Sequence, residues 1–184
     1  MLFRSGVWLF GAHGGLATTL VVGAHAIARG LAEPRGIVTA TAAGAGIDWQ
    51  PLNGLVFGGH EIRPGDYATS AAEIHARTGT LAPELVRALR KELGASSRNV
   101  VPGVLPNAGA TIRSLGSRTA RARTLRQQVA QVQRDIAAFA KRHRLDRVVC
   151  VNLTSTEPPL KPNARSEEHT SELQSPCNLV CRLL

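Results

Sequence analysis

The stretch "FGAHGGLATT" (Phe10–Thr19) decides the fold. It follows a short apolar run, "GVWLF" (6–10), and precedes "LVVGAHAIARGL" (20–31), which is apolar and rich in small residues. These segments predict a buried strand, a glycine-rich turn and a helix with an Ala/Gly packing face. In such a unit the first glycine permits the tight turn. The middle one lets backbone approach a pyrophosphate, and the last allows close helix–strand packing. The helix start then offers free N–H groups and the positive end of its dipole to an anion. Here Gly11, Gly14 and Ala17 stand at intervals of three, with Gly15 in addition, and Thr18 and Thr19 add hydroxyls in the first turn. The same residues also suit a strand-to-helix turn that holds no ligand.

Working outward, short apolar runs alternate with helical patterns. "GIVTAT" (36–41), "LVFGG" (55–59), "NVVPGVLP" (99–106) and "RVVCVNL" (147–153) read as strands. Residues 16–31 and 66–78 read as helices, and so does "LAPELVRALRKEL" (81–93), with Thr80 as its cap and Gly94 past its end. Residues 42–54 and 107–117 read as loops. The clearest helix is expected from Thr119 to His143, where Leu125, Val129, Val132, Ile136 and Phe139 form one apolar stripe. This alternation predicts an α/β fold: a Rossmann-like doubly wound parallel sheet with helices on both faces, incomplete because later strands are missing.

The chain has 184 residues, 43% apolar and 19% charged, a globular balance that excludes disorder. No apolar run approaches the roughly 20 residues that span a bilayer. The opening "MLFRSGVWLF" weakly resembles a signal peptide, but it runs straight into the glycine loop without a small-residue cleavage site, so a first strand is the better reading. Three cysteines make no disulfide framework, and a reducing cytoplasm is expected. The net charge of +9 suits either nucleic acid or phosphorylated small molecules. Six arginines (Arg113, Arg118, Arg121, Arg123, Arg126, Arg134) lie close together, but no aromatic residues interleave them. A solvated helix face is therefore expected there, not a nucleic-acid surface.

The chain changes character at Arg165. "RSEEHTSELQS" (165–175) resembles the translation of a standard sequencing adapter, and "LVCRLL" (179–184) resembles the next constant part of the same oligonucleotide. The intervening "PCN" falls where a sample index would lie. Residues 1–164 are thus expected to be the natural domain, cut off near Ala164, and 165–184 a non-native tail. A zinc reading of Cys177, Cys181 and His169 lacks a second close pair, so no metal is expected.

A dinucleotide loop calls for an acid on the ribose, usually about 20 residues on. At that distance the chain has only "GIVTATAAG", without a carboxylate. Glu61, in "LVFGGHEI" (55–62), is the alternative, just past a strand end where open parallel sheets bind ligands. A second polar cluster, "NLTSTEP" (152–158), follows the strand at 147–153.

Together these pieces resemble the inositol-3-phosphate synthase (myo-inositol-1-phosphate synthase) family over essentially all of residues 6–160. "VWLFGAHGGLATT" is similar to its first strand and NAD loop, and "VFGGHEI" to the segment supplying the ribose acid. "RTLRQQVAQVQRDIAAFAKRHRLDRVVCVNL" resembles its long helix and next strand, and "TSTEP" its polar loop beside the dinucleotide. The resemblance implies that Gly11, Gly14, Gly15, Ala17, Thr18 and Thr19 surround the NAD pyrophosphate. It also implies that Glu61 holds the ribose hydroxyls and that Ser155, Thr156 and Glu157 lie near the cofactor. Two departures, Ala17 for a frequent glycine and His60 where eukaryotic members tend to have Trp, fit the bacterial branch. The family converts glucose 6-phosphate to inositol 3-phosphate by NAD-dependent oxidation, aldol cyclisation and reduction. Its chemistry rests on lysines of a later catalytic domain. Lys91, Lys141 and Lys161 match none of these, so no catalytic residue is assigned and the 184-residue chain is expected to be inactive. A phosphosugar substrate and a homo-oligomer are expected of the full-length protein alone, with no nucleic-acid or membrane partner. The alternatives are another NAD(P)-dependent Rossmann oxidoreductase and a basic nucleic-acid-binding module.

Overall fold

The computed structural model describes residues 4–47, 50–105, 110–116, 119, 124–154 and 181–182. Strand β1 (Ser5–Phe10) is central. Helix α1 (Gly15–Ala28) follows it and leads through short 3-10 turns into β2 (Leu55–Glu61). Helices α2 (Tyr67–Thr78), α3 (Pro83–Ala88) and α4 (Arg90–Ser97) return the chain to β3 (Val100–Pro102). Then come α5 (Ala110–Leu115), α6 (Leu125–His143) and β4 (Arg147–Asn152). The strand order β3-β2-β1-β4 is parallel throughout, and β5 (Cys181–Arg182) adds two antiparallel residues beside β4.

The sheet is covered on both faces. Leu9 and Phe57 pack with Val21, Val22 and Ala26 of α1, Ala71 of α2 and Leu93 of α4. On the other face Trp8, Val148 and Cys150 meet Ile136 and Phe139 of α6. Two glycines seat α6. A Cβ on Gly6 or on Gly58 would lie 2.8 Å from the Phe139 ring, so the ring fills the space both leave open. Asp66 caps α2 through Thr69 N–H, and Gly79 ends it at φ +72°. Thr124 and Gln127 form a reciprocal capping box at the start of α6.

Several sequence expectations shift. "GIVTAT" is no strand; Val38–Ala40 is a 3-10 turn. β-Branched composition alone does not make a strand: both edges of β1 are taken, by β2 and β4, and residues 36–41 pair with no strand among the described residues. The helix expected over 81–93 is two, capped at Ala82 and turning at Leu89, and Gly94 lies inside the second. Residues 110–115, read as loop, are helical. The helix expected from Thr119 begins at Leu125, and residues 120–123 lie outside the described part. Its stripe is buried at Ile136 and Phe139, but Leu125 and Val129 are exposed. The adapter-like tail lies outside the described residues except for the two of β5.

Candidate functional site

β1 ends at Phe10 and the chain turns at once. Gly11 has φ +79°, a conformation that favours glycine. Its N–H and that of Ala12 both donate to the His60 carbonyl, at 3.0 and 3.1 Å, so the end of β2 holds the start of the loop. Gly14 N–H donates to the Gly11 carbonyl at 2.9 Å and closes the turn. A Cβ on Gly14 would sit 3.1 Å from that same oxygen. Gly14 then caps α1 in an extended conformation with no side chain, and the first turn holds no acidic residue.

Gly15 differs. A Cβ there would meet no atom within 4 Å, and Gly15 is not among the positive-φ glycines. Neither packing nor backbone strain requires glycine at this position. Its bare backbone faces open space at the helix start, the surface an anion's oxygens approach. Ala17 and Thr18 point the other way, wholly buried, with Thr18 Oγ1 lacking a hydrogen-bond partner among the described residues. Thr19 is exposed, and its hydroxyl donates back to the Gly15 carbonyl at 2.8 Å.

Glu61 closes the side of this loop. It is only 4% exposed, and one carboxylate oxygen accepts from His13 N–H at 2.7 Å. The other accepts from Ile62 and Arg63 N–H at 2.8 and 3.1 Å. Three of roughly four acceptor positions of a carboxylate are thus filled by backbone, which leaves about one for a ligand hydroxyl. Arg63, which no motif in the sequence marks, completes the clasp: its guanidinium donates to the His13 carbonyl at 2.6 Å and stands 3.9 Å from both Glu61 and Glu73. His13 therefore uses its N–H on the acid and its carbonyl on the base. Its ring meets Tyr67 edge-on, with centroids 5.2 Å apart. Burial, with the Glu61 charge nearby, pushes the Tyr67 phenol far above its usual range, so it stays neutral.

The second strand end lies against the same loop. Leu153 N–H donates to the Phe10 carbonyl at 3.0 Å, and a Cβ on Gly11 would lie 3.3 Å from the Leu153 carbonyl oxygen. Asn152 accepts from both the N–H and the hydroxyl of Thr154. Ser155, Thr156 and Glu157, next in the chain, lie outside the described residues, as do Arg118, Arg121, Arg123, Lys161, His169 and Cys177. Among the described residues no group of His, Cys, Asp and Glu could hold a metal ion.

The glycine loop and Thr154 flank the carboxyl ends of β1 and β4. There the strand order reverses, because the chain runs outward through β2 and β3 and then returns to the far side of β1. Open α/β sheets bind ligands at this crevice. The family model for myo-inositol-1-phosphate synthase, an NAD-binding domain, matches residues 5–179. The chain belongs to the myo-inositol-1-phosphate synthase family. It is 32% identical over 165 residues to inositol-3-phosphate synthase 1 of Bacteroides thetaiotaomicron, a match covering 84% of this chain and 37% of that protein. The crystal structure of inositol-3-phosphate synthase from Caenorhabditis elegans shares the fold, with a TM-score of 0.67 at 18% identity over 89% of this chain and 37% of that one. The chain thus spans little more than a third of the length of these synthases. It corresponds to their NAD-binding domain, and the residues present fit that cofactor: bare backbone at Gly15, a tight glycine turn and a buried acid beside it.

Proposed function

We propose that the crevice between the glycine loop and the ends of β2 and β4 holds NAD as part of an inositol-3-phosphate synthase. The observation that carries this is the open approach to Gly15 beside a loop that Glu61 and His60 hold from the neighbouring strand. In this reading the Gly15 amide, in the first turn of α1 where N–H groups have no helical partner, receives the pyrophosphate. Gly14 closes the turn with its N–H on the Gly11 carbonyl, the Thr19 hydroxyl reaches a phosphate oxygen by leaving the Gly15 carbonyl, and the remaining acceptor position of Glu61 takes a ribose hydroxyl. Gly11 shapes the turn. Ala17 and Thr18 serve by being small and buried, letting α1 lie close on the sheet. Ser155, Thr156 and Glu157, which follow β4 in the chain and lie outside the described residues, remain cofactor-binding residues in this reading.

NAD supplies a hydride acceptor that later returns the hydride. For the whole protein the substrate is D-glucose 6-phosphate and the product 1D-myo-inositol 3-phosphate, made in the cytoplasm by a homo-oligomer. Nucleic acid and membrane have no part in this reading. No described helix is long and apolar enough to cross a membrane. Lys141 lies in the last turn of α6, at the end of the sheet away from the loop, and no catalytic residue is assigned to this chain, so the reading is cofactor binding without turnover.

Thermal unfolding with added nucleotide tests this. NAD at a hundred times its Kd stabilises by about 2.7 kcal/mol. The 184-residue chain should melt higher with NAD, gain less from NADP at the same concentration, and form no inositol phosphate. An unchanged melting temperature at saturating NAD would overturn the cofactor reading.

A further inference from the structure

His60 joins the two faces of the sheet. Its carbonyl holds the amides of Gly11 and Ala12 on the loop. Its ring, buried on the α6 side, stacks on Phe10 with centroids 5.5 Å apart and meets Trp8 edge-on at 4.9 Å. Trp8 Nε1–H donates to His60 Nδ1 at 3.0 Å. An indole nitrogen can only donate, so Nδ1 is an acceptor and the neutral ring carries its proton on Nε2. That proton is donated to Asp135 Oδ2 on α6, at 3.0 Å. Asp135 is held in turn: its other oxygen accepts from Gln131 Nε2 at 2.8 Å, and Gln131 Oε1 accepts from Arg134 at 2.9 Å. A continuous set of directed bonds therefore runs from α6, through a ring with one allowed tautomer, to the strand end that anchors the loop. Trp8 and the His60 ring lie on the α6 face of the sheet, while α1 packs on the other.

We propose that Asp135 is a positioning residue for the glycine loop, acting through the His60 ring on the His60 carbonyl. The effect on cofactor affinity rests on the NAD reading; the effect on the loop itself does not. The test uses the full 184-residue chain. Amide hydrogen exchange is followed at Gly11 and Ala12 and across β4, the His60 ring nitrogens are read by 15N NMR, and NAD affinity is titrated. The wild-type ring should show a protonated Nε2 and a bare Nδ1. Asp135→Ala should lower protection at Gly11 and Ala12 by about tenfold and weaken NAD binding by a similar factor, because a hydrogen bond to a charged group is lost, while β4 keeps its protection. Asp135→Asn, whose carbonyl still accepts the Nε2 proton, should restore both to within about twofold. Unchanged loop amides in Asp135→Ala would overturn the proposal. Protection lost equally over β1 and β4 would too, since Asp135 would then support only the whole fold. Should Asp135→Ala not fold, Asp135→Ser serves: its side chain is too short to take the Nε2 proton, so the loop amides should again lose protection, and unchanged amides would again overturn it. A wild-type chain that binds no NAD refutes the cofactor reading, while the amide measurement still decides the role of Asp135.

Discussion

Gly15→Ala separates a glycine kept for folding from one kept for a ligand. A methyl at this position would touch nothing within 4 Å, and Gly15 is the first residue of α1. Folding alone favours alanine there, because alanine restricts the unfolded chain and suits a helix. The gain is about 0.4–1 kcal/mol. For a domain of this size that raises the melting temperature by roughly 1–4 °C. The same methyl would intrude on the surface where a pyrophosphate oxygen must approach. Overpacking costs about 1–3 kcal/mol, which weakens NAD binding by roughly 5- to 150-fold. The assay is a paired one: calorimetric melting of the free variant and titration with NAD. The expected result is a more stable protein that binds cofactor worse. Unchanged affinity would refute the assignment of Gly15 to the phosphate cradle. A lower melting temperature would refute the claim that nothing in the fold requires glycine there.

Three further outcomes follow from the geometry. Glu61→Gln places an amide NH2 against at least one backbone N–H that now donates to a carboxylate oxygen. It should cost about 2–4 kcal/mol in urea unfolding as well as NAD affinity, and equal midpoints would show that the carboxylate does not hold the loop. In Gly59→Ala, the added Cβ would overlap the Leu9 carbonyl oxygen and lie 3.0 Å from Ala12 Cβ. Circular dichroism should therefore show a loss of about 3 kcal/mol or more, and native-like stability would contradict the close approach of β1 and β2. Burial holds His25, His60 and His143 below their usual value of 6.5, so the unfolded chain takes up protons first as pH falls. Stability is present above that value and should decline as pH drops below about 6.5, seen as a lower urea midpoint at acid pH; a midpoint that rises on acidification would reverse the sign.

The local pattern of residues 5–28 was legible because its signals are short-range. An apolar run, a glycine turn and an Ala-rich helix each depend on neighbours a few positions away. The parallel sheet followed from alternation of such runs, since parallel strands need a covered crossover between them. Pairing was not legible. "GIVTAT" carries the composition of a strand and became a 3-10 turn, while Leu55–Glu61 took the edge of β1. The apolar stripe of α6 was visible at full length, yet only Ile136 and Phe139 are buried deeply, where Gly6 and Gly58 open a seat for the Phe139 ring.

For the site, the sequence by itself determined that a glycine loop opens the first helix and that Glu61 is the acid within reach of a strand end. Family membership adds that the cofactor is NAD. Only the tertiary structure decided how these residues serve. It buries Thr18, frees Gly15, turns Glu61 into the acceptor of three backbone N–H groups, and brings in Arg63 and the Trp8–His60–Asp135 bonds, which no spacing announces. The physical reason is the range of the interactions. Turn and helix preferences act within a few residues, whereas the hydrogen bonds that orient this loop join residues 48 to 75 positions apart, and such partners meet only once the sheet has formed.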